Sequence, residues 1–206
     1  MIEDILKEAI NKINERHYSV KNPEIRLVNE DNYSLNYSKQ ETMPENNFVS
    51  RLISHYQEVI NLRHPGLSED VSPEMYPQIQ LYKIRVRKQE NEALSQDFDI
   101  KDGIYPDIVF HKDQYFNIPQ NQKLVIECKI NNRLSYEDFG QDLAKLVIYI
   151  SEINFQKSIF LIANNEKAAI ESYLQRFKNT YEMLNMMNVH IWVKNYGEEI
   201  EIIDCE

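Results

Sequence analysis

Tyr105-Pro106-Asp107-Ile108-Val109-Phe110, followed by Leu124-Val125-Ile126-Glu127-Cys128-Lys129-Ile130, is the stretch from which the fold and the chemistry of this chain are read. Both segments have the apolar, β-branched character of buried strands, and in each the run is broken by charge. A charge taken into an interior is costly unless it is paired or holds a metal. Strand side chains alternate between faces, so Glu127 and Lys129 share one face with Val125, while Ile126, Cys128 and Ile130 take the other. If the two segments form a hairpin, Asp107 lies across from Glu127. Two hard oxygen ligands and an ammonium group then meet, an arrangement suited to a divalent cation such as Mg²⁺ with a water beside it. A solvated hairpin carrying an ordinary ion pair is the alternative, and the apolar residues that bracket Glu127 count against it.

Outward from this pair, hydrophobic periodicity supplies the remaining elements. Upstream, Ile2, Ile5, Leu6, Ala9, Ile10 and Ile13 recur at helical spacing and predict a helix over 2–16. Residues 18–44 show no clear period beyond a short hairpin around Arg26-Leu27-Val28. A second helix is expected from Glu45 or Asn46, with Phe48, Val49, Leu52, Ile53, Tyr56 and Ile60 on one face, ending before His64-Pro65-Gly66. A Pro-containing loop then leads to a basic strand at 79–88. Downstream, a turn around 117–121 joins the Asp107 and Glu127 strands. Ser135 and Asp138 read as the capping pair of a helix buried through Phe139, Leu143, Leu146, Val147, Ile150 and Ile153. A strand over Lys157 to Ala163, a helix from Glu166 to Leu184, a strand at Val189 to Val193 and an edge strand at Glu199 to Ile203 complete the order.

Helix, three strands, helix, strand, with Pro106-Asp107 on one strand and Glu127-Cys128-Lys129 on the next, resembles the PD-(D/E)xK nuclease superfamily over roughly 45–164. The resemblance implies an α/β, restriction-endonuclease-like core (α-β-β-β-α-β): a mixed central sheet flanked by helices, here with an added N-terminal helix. It further implies that Asp107 and Glu127, with the backbone carbonyl of Cys128, hold Mg²⁺, for which Mn²⁺ would substitute. Lys129 would orient or help deprotonate the attacking water, or act as an electrostatic stabiliser while metal-bound hydroxide serves as base. Many relatives add a Glu from the first core helix. Glu45 is placed to be that ligand and Glu58 is its substitute, although Glu45 also reads as a first-turn acid favouring the helix dipole. On the helix after Ser135, Gln141, Lys145 and Tyr149 recur every four residues and are expected to line one face away from the apolar stripe. Gln141 and Lys145 are accessory candidates, and Gln141 with Tyr149 is similar to the Gln-x-x-x-Tyr element of the RecB-like branch, with Lys145 standing where its Tyr would be. The implied activity is metal-dependent hydrolysis of phosphodiester bonds, with DNA ahead of RNA, in a bacterial or phage restriction, defence or repair setting.

Charge complicates the reading. The chain has 206 residues and a formal net charge of −10, which as a whole repels a phosphate backbone. Contact with nucleic acid must then be local, and Lys83, Arg85 and Arg87 on one face of the basic strand are the candidates. The acidic residues Glu198, Glu199, Glu201, Asp204 and Glu206 suit a solvated edge. An alternative from another class is a catalytically silent nuclease-like subunit that binds a protein partner; a homodimer is a further expectation. His111 shares the face of Asp107 by alternation, but the five histidines form no metal-binding spacing. Four glycines, with no phosphate-cradling loop among them, argue against nucleotide-driven chemistry. Two cysteines, no leader and no long apolar run lead to the expectation of a reducing cytoplasm and no membrane contact. One domain is expected over 1–206: an N-terminal helical extension (1–44), the core (45–164), and a helix and strand added at 165–206.

Overall fold

The computed structural model describes residues 1–14, 20–21, 24–29, 32–36, 40–41, 45–63, 73–75, 89–98, 100, 105–111, 119–130, 133–182 and 184–205. It opens with α1 (Ile2–Lys12), which buries Ile5, Leu6, Ala9 and Ile10 and ends before the extended Ile13, short of the expected residue 16. The region expected to be a helical extension then turns to short strands. These are β1 (Val20–Lys21), β2 (Glu24–Asn29), β3 (Asn32–Asn36) and β4 (Gln40–Glu41), with β2 and β3 forming the expected hairpin and β1 pairing with β4, all antiparallel. Helix α2 (Glu45–Arg63) has the expected limits.

The central sheet comprises β5 (Pro73–Met75), β6 (Ile108–His111), β7 (Gln122–Ile130), β8 (Lys157–Ala163), β9 (Val189–Lys194) and β10 (Glu201–Asp204), in the order β10-β9-β8-β7-β6-β5. It is mixed. β5, β6 and β7 are antiparallel, β7, β8 and β9 are parallel, and β10 returns antiparallel on the far edge. Parallel neighbours need a long crossover, and α4 (Tyr136–Ile153) and α5 (Lys167–Thr180) supply two. The latter is shorter at both ends than its periodicity suggested. β5 lies where a loop was expected, and the basic strand at 79–88 falls outside the described residues. Helix α3 (Gln89–Asp97) was not anticipated. Among its described side chains only Leu94 and the polar Asn91 are buried, too little for an amphipathic period to show.

Alternation along the strands sorts the core into two layers. Ile108, Phe110, Leu124, Ile126, Cys128 and Ile130 pack with α1 and α2 on one face. Val109, Val125, Phe160, Ile162, Ile191 and Val193 pack with α4 and α5 on the other. Each fully buried aliphatic or aromatic side chain contributes roughly 1.5–3 kcal/mol, so a core of this extent can carry a small buried cluster of charge. Helix α4 starts as its sequence prescribes: Ser135 Oγ accepts from the Asp138 main-chain N–H at 3.1 Å and donates to the Asp138 carboxylate at 2.7 Å. At its other end Asn154 takes the left-handed conformation at φ 63°, a position that Asn tolerates better than most residues. Gly140 lets α4 accept the Phe98 ring, since a Cβ there would sit 2.5 Å from it.

Candidate active site

The cluster is assembled where β6 begins and β7 nears its end. Pairing of Ile108 with Ile126 and Val109 with Val125 carries the register back one residue to set Asp107 opposite Glu127. Asp107 itself precedes the ladder, and this frees its carboxylate to accept the Cys128 main-chain N–H at 2.7 Å. In an antiparallel strand a residue's N–H and C=O point to the same side, so the Cys128 carbonyl also faces the Asp107 side. Burial pushes the Asp107 carboxyl up to about 6, against the stabilising Cys128 N–H and with help from Glu45 and Asp142.

Glu127 is 4% exposed. Its carboxyl is held well above the ordinary range, first by burial and then by Asp142 and Asp107, with Lys145 and Lys129 opposing. Tyr149, fully buried on α4, donates its hydroxyl to Glu127 Oε1 at 3.3 Å. Burial and the adjacent Glu127 raise the phenol well above its usual value, so it remains a donor.

Lys129 follows on the same face as Glu127 and finds two acids from two helices. Its Nζ lies 3.3 Å from Glu45 Oε1 and 3.2 Å from Asp142 Oδ2. Lys145 Nζ lies 2.6 Å from the other Asp142 oxygen. Burial disfavours both ammonium groups, yet Asp142 and Glu45 hold Lys129 above its ordinary value, and Glu127 and Asp142 do the same for Lys145. Burial raises the Glu45 carboxyl, and Glu45 Oε2 is buried without a hydrogen-bond partner among the described residues.

Asp107, Glu127, Lys129, Glu45 and Lys145 are therefore brought together. Glu58 is not: it pairs on the surface with Lys12 at 3.6 Å and His55 at 3.2 Å. The expected polar face of α4 needs correction. Gln141 is exposed, whereas Lys145 turns inward and Tyr149 lies in the core beside Phe155. Two steps of four residues rotate around a helix of 3.6 residues per turn, so these positions drift off one line. Asp142 was missed, although an acid three residues after Phe139 falls on the apolar stripe, which is the signal that marks it. His111 is half-buried at the far end of β6, and Lys83, Arg85 and Arg87 lie outside the described residues.

The donor set is one of hard oxygens, which suits a Mg²⁺-like ion. Four carboxyl groups face two ammonium groups, so full ionisation leaves two negative charges uncompensated, and Glu45 Oε2 has no hydrogen-bond partner among the described residues; a divalent cation fits both facts. Among the described residues no group of three or more His, Cys, Asp or Glu side chains is arranged to hold a metal ion. Two carboxylates and the Cys128 carbonyl thus form the candidate set, with Glu45 turned to Lys129. No helix of the described residues is long and apolar enough to cross a membrane. No family model, curated protein or solved structure matches this chain.

Proposed function

We propose that the protein is a metal-dependent phosphodiesterase acting on nucleic acid, DNA ahead of RNA, built on a restriction-endonuclease-like core. The observation that carries this reading is Asp107 set across from Glu127, with Lys129 on the same strand face, inside a buried and over-acidic cluster. Asp107, Glu127 and the Cys128 carbonyl would hold the ion, while Glu45 stays paired with Lys129. When bound, a divalent ion supplies Lewis-acid stabilisation to a nonbridging phosphate oxygen and acidifies a water.

The residues of the chain do the rest. Two carboxylates hold Lys129 in its charged form, which supports a role in orienting the attacking water and offsetting charge on the phosphoryl oxygens rather than in removing a proton. Lys145 adds a second positive charge. The Tyr149 hydroxyl keeps Glu127 in one orientation. Hydrolysis joins the water oxygen to phosphorus and breaks the P–O3′ bond, with a proton passing through solvent to the 3′-oxygen. By the resemblance the products carry 5′-phosphate and 3′-hydroxyl ends.

The test is cleavage of DNA and RNA with Mg²⁺ or with chelator. Cleavage that requires the ion and disappears in both Asp107→Ala and Glu127→Gln supports the reading; cleavage that survives both substitutions places the chemistry elsewhere. A second reading, a nuclease-like subunit that binds a protein partner without cutting, is favoured by the net charge of −10 and by the commitment of Lys129 to Glu45 and Asp142. A wild-type chain that binds no divalent ion and cuts nothing would support it.

A further inference from the structure

Asp142 is the most deeply buried carboxylate of the cluster, its side chain 3% exposed. It projects from α4, whereas the candidate ion ligands belong to the start of β6 and to β7. Its two oxygens are divided between two lysines, one from β7 and one from its own helix: Oδ1 accepts from Lys145 at 2.6 Å, and Oδ2 forms an ion pair with Lys129 at 3.2 Å without hydrogen-bond geometry. Neither lysine is ion-paired with Asp107 or Glu127. Those two carboxylates are instead held by neutral donors, the Cys128 N–H and the Tyr149 hydroxyl.

We propose that Asp142 is a positioning residue: by dividing its oxygens between Lys129 and Lys145 it fixes both ammonium groups and keeps them off Asp107 and Glu127. The proposal rests on the phosphodiesterase reading for its catalytic consequence and on geometry alone for its structural part. Removing one member of a buried charged network leaves the others uncompensated. Without that anchor, Lys129 retains Glu45, while Lys145 has Glu127 as its nearest alternative, so both cations shift relative to the scissile phosphate. Asn at this position has the same shape but only one acceptor oxygen and no charge, and Glu preserves the charge at a different reach.

The experiment compares the full chain as wild type with Asp142→Asn, Asp142→Glu and Glu45→Gln, each checked for native circular dichroism. Two readouts are taken: acetylation of each lysine by an amine-reactive ester in chelator, followed by peptide mass spectrometry, and Mg²⁺-dependent cleavage kinetics. Asp142→Asn should acetylate several-fold faster at both Lys129 and Lys145, and Glu45→Gln at Lys129 alone. In cleavage, Asp142→Asn should lose about 10²-fold in kcat, the size of effect that follows displacement of a catalytic group by about 1 Å. KM and the Mg²⁺ requirement should stay close to wild type, and Asp142→Glu should recover part of kcat. Unchanged acetylation at both lysines in a folded Asp142→Asn overturns the proposal, as does faster acetylation with wild-type kcat. A wild type that cuts no nucleic acid overturns the phosphodiesterase reading instead, and the acetylation pattern then decides by itself whether Asp142 holds the two lysines.

Discussion

The Cys128 main-chain N–H donates to Asp107 Oδ2 at 2.7 Å, across the gap where the β6–β7 ladder has just ended. A side chain here replaces a strand partner, satisfies a buried backbone donor and fixes the direction of the carboxylate in one contact. It also leaves Asp107 near Glu127, where two acids repel, and this tension organises the expectations that follow.

Lys129→Ala should remove cleavage while keeping most of the Mg²⁺ affinity, because the ammonium stabilises charge that develops during reaction rather than the bound ion. Asp107→Ala should lose both. Isothermal calorimetry of the two variants checks this division, and equal loss of Mg²⁺ in both would contradict it.

Raised acidity at Asp107 has a pH signature in metal-free protein. Its carboxyl is pushed up to about 6 from an ordinary 3.8, first by burial, so the native state binds this proton more tightly than the unfolded chain. The stabilising contribution is full below about 4 and is lost as pH rises through about 6, amounting to roughly 2–3 kcal/mol at 1.36 kcal/mol per pKa unit. Denaturation of wild type and Asp107→Asn in chelator between these limits should show a pH slope in the first that is reduced in the second. Identical slopes would mean that Asp107 does not titrate there.

Glu127 should show a conflict between stability and function. Glu127→Gln removes a buried charge while keeping an oxygen for the Tyr149 hydroxyl, so the metal-free protein should be as stable as wild type or more so, and inactive. Tyr149→Phe should cost about 1–2 kcal/mol, because a buried carboxyl oxygen loses its donor. Paired urea melts check both signs. A Glu127→Gln protein destabilised by more than Tyr149→Phe would show that the buried charge supports the fold.

Binding to nucleic acid by an acidic chain should depend on few cations. Neutralising Lys83, Arg85 and Arg87 together in a Glu127→Gln background should weaken duplex binding about equally for all sequences. It should also flatten the log-log salt slope by about two to three contacts at roughly 0.9 each. An unchanged slope across a salt series would assign the contact surface to another face or to a partner protein.

Local pattern alone determined much of this molecule. The alternation of Leu124 to Ile130, the Ser135 cap and the apolar stripe of α4 were legible because strand and helix periods are properties of a few consecutive residues. The same alternation set Glu127 and Lys129 on one face, and hairpin register put Asp107 opposite. α3 was not legible: with Leu94 as its only buried apolar residue, it carries no amphipathic period for a sequence to display. Nor did periodicity tell which acids join the cluster. Glu45 and Glu58 both sit on α2, yet only the packing of that helix against the sheet brings Glu45 to Lys129 and leaves Glu58 with Lys12 and His55. Likewise Gln141 and Asp142 are neighbours in the chain, and the rotation of α4 about its axis sends one to solvent and the other between two lysines. The stripe of Phe139, Leu143 and Val147 marks that inward face in the sequence, but which lysines Asp142 meets there depends on how the stripe seats against the sheet, a contact between distant segments.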